Sequence, residues 1–574
     1  MRRLHLLENR LARNDDLRQQ YQNFLDEYAM LGHMRRIEHH EDQPAVCYHL
    51  PHHAIVKQDS STTKVRVVFD ASCKTPNGPS LNDALMVGPI VQQNLRSIIM
   101  RSRKHPVMLV ADIKQMYCQV LVDERDTSHQ RIVRRSFPEV PTDTYELKTV
   151  TYGTASAPFL ATRALMQLAE DECTEFPEAA AILKTDFYVD DLFSGGNTVA
   201  ETTALRQQLE ELLLKGGFEL RKSASNNESV LEGVPQSDRA FRSSVDLDRE
   251  QCIKTLGLYW EPAFDTLRYK VKITSFATDV TLTKRLALSH IAQLFVPLGL
   301  VGPVVTTAKI FMQALWTLKN DDGKMWSWDQ ELPDKFKQRW HAYHSQLIRL
   351  NELRIGRCIV LPNAVSTQLH IFSDASEDAY GACVFVRTTD SSGAIKVALL
   401  TARSKVAPLA KQSIPRLELC GALIATELYT AVTKSLQITA ETHFWVDSTT
   451  VLNWLKSPPS TWTTFVANRV SKIQLATENT SWNHVSGEQN PADSISRGIS
   501  VNELLQSELW WQGPAWLHLD SRSWPIQSTN DVLNLQTTPE ARKKLSSAIS
   551  ATTEPSFIDI IMLVVFPTII AYFV

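Results

Sequence analysis

An acidic pair set between two short apolar runs constrains this chain more than any other feature of its sequence. The segment reads Thr185-Asp186-Phe187-Tyr188-Val189-Asp190-Asp191-Leu192-Phe193-Ser194-Gly195-Gly196. Apolar runs of this length on either side of a polar turn predict a β-hairpin with the carboxylates of Asp190 and Asp191 at its tip. Two adjacent carboxylates in that position can hold a divalent metal ion, so the pair predicts a metal site.

The pair alone does not decide the question, because adjacent aspartates also occur at Asp15-Asp16 and Asp321-Asp322. Neither of those pairs lies between apolar runs, and both are predicted to be solvated. Asp112 strengthens the case, since it directly follows the apolar run Val107-Met108-Leu109-Val110-Ala111. Two-metal nucleotidyl transfer needs carboxylates from separate strands, although an aspartate at the end of a strand can equally cap a helix.

Length and charge set broad limits on the chain. At 574 residues it is too long for one hydrophobic core, and about three to five domains are expected. The net charge is only −3, but Lys and Arg outnumber Asp and Glu about two to one between residues 51 and 135. A basic segment of this kind suits contact with a polyanion. The eight scattered cysteines form no C-x-x-C pair, which disfavours a zinc finger and indicates reduced, intracellular thiols.

Several motif blocks follow one another in an order that resembles a known family. They are Lys64-Val65-Arg66-Val67-Val68-Phe69-Asp70-Ala71-Ser72, Ser80-Leu81-Asn82-Asp83, Ala111-Asp112-Ile113-Lys114-Gln115-Met116-Tyr117, Tyr152-Gly153-Thr154-Ala155-Ser156-Ala157-Pro158-Phe159, the Tyr188-Val189-Asp190-Asp191 box and Thr255-Leu256-Gly257-Leu258-Tyr259-Trp260. Together they resemble the reverse transcriptase and ribonuclease H part of retrotransposon Pol polyproteins, most closely the Bel-Pao group. The resemblance covers roughly residues 1–515, and it implies a fragment of a longer Pol polyprotein.

The resemblance assigns roles to residues of the first catalytic unit. It implies that Asp112 and Asp190 are metal ligands and that Asp191 is a supporting third carboxylate, with two Mg²⁺ ions, or Mn²⁺, per active site. Tyr117 is implied to be an aromatic gate that excludes a ribose 2′-hydroxyl, although the same side chain could simply pack in a core. Gly153 is implied to let the backbone approach the incoming base pair, although many glycines only form turns.

Three basic residues are assigned to the nucleotide by the same resemblance. Lys64 and Arg66 match residues that grip a triphosphate through charge-assisted hydrogen bonds, and the alternative is an exposed charged strand face. Lys222, which follows Gly216-Gly217-Phe218, is implied to protonate the leaving pyrophosphate. The alternative reading of Lys222 is an ordinary surface lysine.

A second set of acids follows from Leu369 onwards, where the pattern predicts three strands, a helix, a strand and a helix. Asp374 and Asp447 each end a strand-like apolar run, and Glu418 lies at the start of the predicted helix. With Asp493 they resemble the four metal-binding acids of a retroelement ribonuclease H, which cleaves the RNA of an RNA–DNA hybrid. His484 is implied to help the product leave, whereas a solvated loop histidine is the alternative.

The sequence therefore predicts a multidomain α+β and α/β protein, with a right-hand polymerase of fingers, palm and thumb followed by a ribonuclease H-like αβ domain. The expected units are a helical segment at 1–50, fingers and palm at 51–270, a helical thumb or connection at 271–365, the ribonuclease H-like domain at 366–500, and a bridge with a disordered tail at 501–574. The apolar stretch 560–574 could be a tail anchor, but about 15 helical residues fall short of the membrane core, so a membrane partner is not expected.

The predicted function is RNA-directed and DNA-directed DNA polymerase with ribonuclease H activity. The alternative is an inactive or co-opted remnant that binds nucleic acid without turnover. The expected partners are an RNA template, a DNA primer, an RNA–DNA hybrid, deoxynucleoside triphosphates and other Pol or Gag products. The expected location is the cytoplasm, including virus-like particles, with access to the nucleus.

Overall fold

A computed structural model describes residues 1–38, 46–56, 65–135, 137, 139–240, 253–255, 258–271, 281–294, 296–526 and 539–541. The α-helices are α1 (Arg2–Leu11), α2 (Asp15–Met30), α3 (Leu81–Ala84), α4 (Leu95–Ser102), α5 (Ala157–Asp171), α6 (Pro177–Thr185), α7 (Val199–Lys215), α8 (Lys284–Ile291), α9 (Gly302–Thr317), α10 (Asp334–His344), α11 (Ile414–Leu436), α12 (Thr449–Lys456), α13 (Thr464–Ala476), α14 (Ala492–Arg497), α15 (Val501–Gln506) and α16 (Glu508–Gln512).

The strands are β1 (Met34–Arg36), β2 (His52–Val56), β3 (Val65–Phe69), β4 (Val107–Ile113), β5 (Arg131–Arg134), β6 (Asp143–Leu147), β7 (Phe187–Tyr188), β8 (Asp191–Gly196), β9 (Leu220–Ser225), β10 (Ile253–Thr255), β11 (Leu258–Glu261), β12 (Thr266–Arg268), β13 (Ile355–Gly356), β14 (Ala364–Ala375), β15 (Ala379–Asp390), β16 (Ile395–Val406), β17 (Glu441–Val446) and β18 (Ser481–His484).

The N-terminal helices pack on small sheets formed by the next strands. Leu7 and Leu11 of α1 are buried, as the leucine spacing predicts, and Leu4 on the same face is half-buried. Asn14 begins α2, because its side chain accepts the N–H of Leu17. The two helices share one hydrophobic cluster with the β2–β3 hairpin and with the sheet ordered β1-β6-β5.

The acidic hairpin belongs to an antiparallel sheet ordered β7-β8-β4-β9. Successive side chains of a strand point to opposite faces, and in β4 both of these faces are buried. Leu109 and Ala111 pack against α5, α6 and α7, whereas Met108 and Val110 pack against α4 and Trp260. A strand covered on both sides reads as a continuous apolar run, which explains the sequence that precedes Asp112.

The middle of the chain is less helical than its sequence predicts. The stretch Thr283–Trp316 contains two helices, α8 and α9, because Pro297 and Gly299 interrupt it and Gly299 adopts a φ of +72°. β13 also completes the sheet ordered β10-β11-β12-β13. The range 271–365 thus contains α8, α9 and α10 together with β13, and its assignment as a thumb or connection stays a prediction.

The ribonuclease H-like half is a five-stranded sheet ordered β16-β15-β14-β17-β18. β14, β15 and β16 are antiparallel neighbours, and β17 and β18 add parallel to β14. α11 crosses this sheet between β16 and β17, and α12 follows β17. This is the predicted order of three strands, a helix, a strand and a helix, although the first strand begins at Ala364 rather than at Leu369.

The two halves share a continuous core. One hydrophobic cluster joins Ile98 and Met100 of α4 to Leu399 of β16 and Leu428 of α11. Arg103, which is 1% exposed, crosses the same seam. Its guanidinium donates to the carbonyls of Gly356, Arg357, Leu399 and Leu400 at 2.8–3.1 Å. The seam therefore contains both apolar packing and buried hydrogen bonds.

The described residues near the C-terminus pack against the core that the two halves share. Trp510 of α16 is buried and donates its indole N–H to the carbonyl of Leu300 at 2.8 Å. The apolar stretch 560–574 lies outside the described residues, as does most of the predicted disordered tail. Within the described ranges, no helix combines the length and apolarity needed to cross a bilayer.

Candidate metal centres

The acidic pair lies at a two-residue turn, as its sequence predicts. Tyr188 pairs with Asp191 across the hairpin, so Val189 and Asp190 form the turn. Val189 adopts a φ of +57°, which is costly for a β-branched residue. Its N–H donates to the side-chain oxygen of Gln92 at 2.9 Å, and this contact helps to hold the strained turn.

Asp112 lies beside the pair because β4 and β8 are neighbours. Asp112 and Asp191 are directly opposite each other in the register of these strands. In addition, the N–H of Ile113 donates to the carbonyl of Asp190 at 2.8 Å. The fold therefore brings the three predicted carboxylates of the first centre, Asp112, Asp190 and Asp191, to one end of the sheet.

Mutual repulsion and burial perturb the hairpin acids. Burial, followed by the charge of Asp112, raises the pKa of Asp190. Burial, followed by the charges of Asp190 and Asp112, raises the pKa of Asp191 to about 7. A bound cation would remove this repulsion, so the electrostatics of the cluster suit a metal ion.

Two basic side chains currently neutralise Asp112. Lys222 donates from Nζ to one carboxylate oxygen at 2.8 Å, and Arg221 donates from Nε to the other at 3.2 Å. Lys222 reaches this position because it adopts a φ of +52° where the β4–β9 register is irregular. Lys222 therefore lies beside the first centre as an ion-pair partner of Asp112, and its role at the pyrophosphate stays a prediction.

The structure locates most of the other residues predicted for this centre. Tyr117 is half-buried, and its pKa is raised by burial and then by the nearby charge of Asp190. Arg66 is exposed on β3, whereas Lys64 lies outside the described residues. Gly153 has a φ of +102°, and a Cβ there would lie 2.3 Å from the carbonyl oxygen of Phe69. Close approach to β3 therefore requires this glycine, and its predicted role at a base pair stays a prediction.

Three acids of the second centre converge tightly. Carboxylate oxygens of Asp374, Glu418 and Asp447 all lie within 4.8 Å of one another, and in the described part of the chain no other group of three comparable ligands does so. Asp374 and Asp447 meet because β14 and β17 are parallel, with Ser373 opposite Val446. Glu418 approaches on α11 because Gly421 lacks a Cβ, which would lie 2.9 Å from the carbonyl oxygen of Asp374.

The second centre is also electrostatically strained without a cation. Burial and the charge of Asp447 raise the pKa of Asp374 to about 7 and that of Glu418 to about 8. Burial raises the pKa of Asp447 as well. One buried oxygen of Asp447, Oδ1, has no hydrogen-bond partner among the described residues. An unpartnered carboxylate oxygen inside an acid cluster is the donor that Mg²⁺ prefers.

The fourth predicted acid and the histidine lie at the margin of this cluster. Asp493 is outside the tight group and forms an ion pair with Arg497, although its charge also adds to the raised pKa of Asp374 behind burial and Asp447. His484 is half-buried at the end of β18, directly opposite Val446. Their predicted catalytic roles stay predictions.

A profile of one protein family identifies this region. The profile is described as the Pao retrotransposon-like RNaseH-like domain, and it matches residues 283–448, which include Asp374, Glu418 and Asp447. Residues 283–448 are thus similar to a Pao retrotransposon domain. This match agrees with the resemblance to Bel-Pao Pol polyproteins that the sequence motifs indicate. A comparison with curated proteins found no match.

Solved structures are similar in fold to most of this chain. A foamy viral protease-reverse transcriptase dRH in complex with dsDNA matches with a TM-score of 0.50 and 14% identity, over 81% of this chain and 69% of that one. A dsDNA complex of the foamy viral protein gives 0.49 and 13%, over 82% of each chain. Its RNA/DNA hybrid complex gives 0.48 and 11%, over 83% of this chain and 54% of that one. At such identity, the first of these shows a shared reverse-transcriptase-like fold only.

Several residues that lie beside the acids of the second centre were not predicted from the sequence. Ser496 donates its hydroxyl to Asp374, and Ser448 partly offsets the raised pKa of Glu418. Asn490 is fully buried, donates to the carbonyl of Ser373 at 3.0 Å and partly offsets the raised pKa of Asp447. Ser448 directly follows Asp447, and Asn490 lies three residues before Asp493. Proximity to a predicted acid in the sequence was therefore the signal that could have identified both residues.

Proposed function

We propose that the chain is an RNA-directed and DNA-directed DNA polymerase with ribonuclease H activity, using two Mg²⁺ ions per active site. The observation that carries this proposal is the convergence of two separate carboxylate clusters at sheet ends, each with pKa values raised by burial and repulsion. When bound, the ions would activate the attacking oxygen and neutralise charge on the leaving oxygen. The fold around the clusters resembles the foamy viral enzyme, which was solved with duplex DNA.

In the first centre, Asp112, Asp190 and Asp191 would hold the cations. Metal binding at Asp112 requires that Lys222 leave its carboxylate oxygen, so Lys222 would stand free beside the departing pyrophosphate and could give it a proton. Tyr117 lies near Asp190 and would exclude a 2′-hydroxyl from the incoming sugar. Arg66, with Lys64, would grip the triphosphate. The substrates in this proposal are deoxynucleoside triphosphates on a DNA primer and an RNA template.

In the second centre, Asp374, Glu418 and Asp447 would hold the cations, with Asp493 as a fourth acid at the margin. Ser496 would keep Asp374 in place through its hydrogen bond, and Asn490 would fix the adjacent backbone of β14 through the carbonyl of Ser373. The substrate would be an RNA–DNA hybrid, recognised through the shape of its minor groove and its 2′-hydroxyls. His484 would promote release of the cleaved product. The raised pKa values mean that the acids must lose protons when cations bind.

Two assays test the proposal separately. The first extends a DNA primer on an RNA template with Mg²⁺, and the second follows degradation of an RNA–DNA hybrid. Asp190→Asn should abolish extension and leave hybrid cleavage intact, whereas Asp447→Asn should do the reverse. Asp321→Asn changes charge equally at an exposed position and should alter neither activity.

The outcomes separate an active enzyme from a remnant. A folded chain that incorporates no nucleotide and cleaves no hybrid would favour the remnant that binds nucleic acid without turnover. Extension that persists in Asp190→Asn would remove the first site assignment. Cleavage that persists in Asp447→Asn would remove the second.

A further inference from the structure

Residues 514–526, which we call the strap, lie on one face of the ribonuclease H-like sheet. On the other face, Phe444 of β17 meets Tyr429 of α11, with ring centroids 5.5 Å apart. His443 precedes Phe444 in the strand, so its side chain points away from α11. On that side Trp524 of the strap meets His443 edge-on, with ring centroids 5.1 Å apart. The strap therefore covers the face of the sheet that is opposite α11.

A single buried arginine attaches the backbone of the strap to β15. Arg387 is 8% exposed, and its Nε donates to the carbonyl of Leu517 at 2.8 Å. A second guanidinium nitrogen donates to the carbonyl of Leu519 at 3.0 Å. The same guanidinium lies 5.4 Å from the centroid of the Trp524 ring. Arg387 thus binds the strap and also places a positive charge beneath it.

The strap closes over two stacked histidines. His370 of β14 and His443 of β17 are directly opposite each other in the register of these parallel strands. Their rings are stacked, with centroids 5.1 Å apart and planes 19° from parallel, and both side chains are buried. Trp524 meets His370 edge-on at 4.8 Å. From β18, the neutral hydroxyl of Ser481 lies 3.0 Å from Nδ1 of His443.

The contacts of His370 require a neutral imidazole. Trp445 donates its indole N–H to Nδ1 of His370 at 3.2 Å. An indole nitrogen can only donate, so Nδ1 carries no proton, and the proton of the neutral ring is on Nε2. That Nε2 is buried without a hydrogen-bond partner among the described residues, as are the indole nitrogens of Trp516 and Trp524. Buried N–H groups without acceptors oppose closure of the strap, and a second proton on His370 would set two donors against each other.

The charges around the pair also oppose its protonation. Burial, followed by the charges of His443 and Arg387, lowers the pKa of His370 well below its usual range. Burial lowers the pKa of His443, although the carboxylate of Glu441, 3.2 Å from its Nε2, acts in the opposite direction. Asp520 of the strap is exposed and acts on Arg387. The closed strap is therefore matched to two neutral rings beside a fixed positive charge.

We propose that the strap is a pH-sensitive cover, which lies on the sheet while His370 and His443 are neutral and lifts when the pair takes up a proton. Lifting gives water to the imidazoles and to the buried indole N–H groups, and it uncovers Arg387 and the aromatic face of the sheet. The inference does not depend on the proposed polymerase or ribonuclease H activity, because it rests on the contacts of the strap alone.

The direction of the pH dependence follows from proton binding. A histidine in the lifted state has a pKa near its usual 6.5, whereas His370 under the closed strap has a much lower one. The lifted state therefore binds more protons, and closure weakens as the pH falls below 6.5. For one such histidine, the ratio of lifted to closed strap rises about tenfold between pH 7.5 and pH 5.5.

The test is amide hydrogen exchange of the full-length chain at pH 7.5 and pH 5.5, followed by mass spectrometry and expressed as protection relative to the intrinsic rate at each pH. The strap should lose about tenfold or more of its protection at pH 5.5, whereas β15 should keep its own. His370→Gln retains an acceptor for Trp445 and cannot take up a proton, so this variant should lose less protection than the wild type. His443→Gln should behave in the same way. His518→Gln removes an exposed histidine of the strap itself and should leave the wild-type loss unchanged.

Three results would overturn the inference. The first is equal protection of the strap at both pH values in the wild type. The second is a wild-type loss in both His370→Gln and His443→Gln, and either variant alone gives this result if the other does not fold. The third is an equal loss in β15 and in the strap, since the acid would then unfold the whole sheet rather than lift its cover.

Discussion

Replacing Glu418 by glutamine should stabilise the protein at pH 8 in the absence of divalent metal. Burial and Asp447 raise the pKa of Glu418 to about 8, from an ordinary value of 4.5. Below pH 4.5 the carboxyl is protonated in both the folded and the unfolded state, so it does not affect the free energy of unfolding. As the pH rises from 4.5 to 8, the unfolded state loses the proton first, and the folded state is progressively destabilised.

The magnitude follows from that difference. Each pH unit between the two pKa values contributes about 1.4 kcal/mol, which gives an upper limit near 5 kcal/mol at pH 8. The side chain is partly exposed, and water and salt reduce the repulsion, so about 2–3 kcal/mol is expected. Glutamine preserves the shape of the side chain and cannot ionise. The gain in the free energy of unfolding should therefore be present at pH 8, where the substitution removes a buried charge. It should be small at pH 5, where the carboxyl of the folded state is protonated.

The assay is urea denaturation of the full-length chain at pH 5 and pH 8, with EDTA or with Mg²⁺. Glu427→Gln is a matched control, because it lies on the same helix but forms only a half-exposed ion pair with Arg403. The control should change the free energy of unfolding by less than about 1 kcal/mol at either pH. Mg²⁺ should stabilise the wild type more than Glu418→Gln. Equal effects of the two substitutions at pH 8, or a gain that is the same at pH 5, would refute the electrostatic account of this centre.

Three further substitutions probe the backbone and the seam. Gly153→Ala should destabilise by about 3 kcal/mol in urea denaturation, because a Cβ would meet the β3 carbonyl at a positive φ. Gln92→Met should accelerate amide hydrogen exchange at Val189, measured by mass spectrometry of the hairpin peptide, whereas Gln93→Met should leave it unchanged. Arg103→Met should destabilise by about 2 kcal/mol or more, since four buried carbonyls lose their donor, and a melting temperature equal to that of the wild type would contradict this.

The local architecture of both centres was predictable because each acid follows a strand or begins a helix within a short sequence block. The short apolar runs on either side of the acidic pair predict the Asp190–Asp191 hairpin, and the structure has it. Apolar runs that end in aspartate predict that Asp374 and Asp447 lie at strand ends, and parallel pairing then brings them together. These features depend on neighbours in the sequence, which is the information that a single sequence contains.

Features that depend on distant contacts were not predictable in the same way. The interruption between α8 and α9 is an exception, because Pro297 and Gly299 are visible in the sequence and were sufficient to predict it. The contact of Lys222 with Asp112 arises from a local irregularity in strand pairing, which no sequence pattern indicates. The antiparallel bridge of Ala541 with Trp462 was also missed, because the few residues around Ala541 in a polar, Ser/Thr-rich stretch carry no periodicity.

The guanidinium of Arg103 limits how this protein can be divided or recombined. A cut near residue 365 would leave the donor on one fragment and the carbonyls of Leu399 and Leu400 on the other. The same cut would strip apolar surface from α4 and β16, so the isolated C-terminal fragment would tend to aggregate. Chimaeras made with a related protein should therefore exchange the residues on both sides of this boundary together. Each half thus supplies buried apolar and hydrogen-bond partners that the other half needs at this seam.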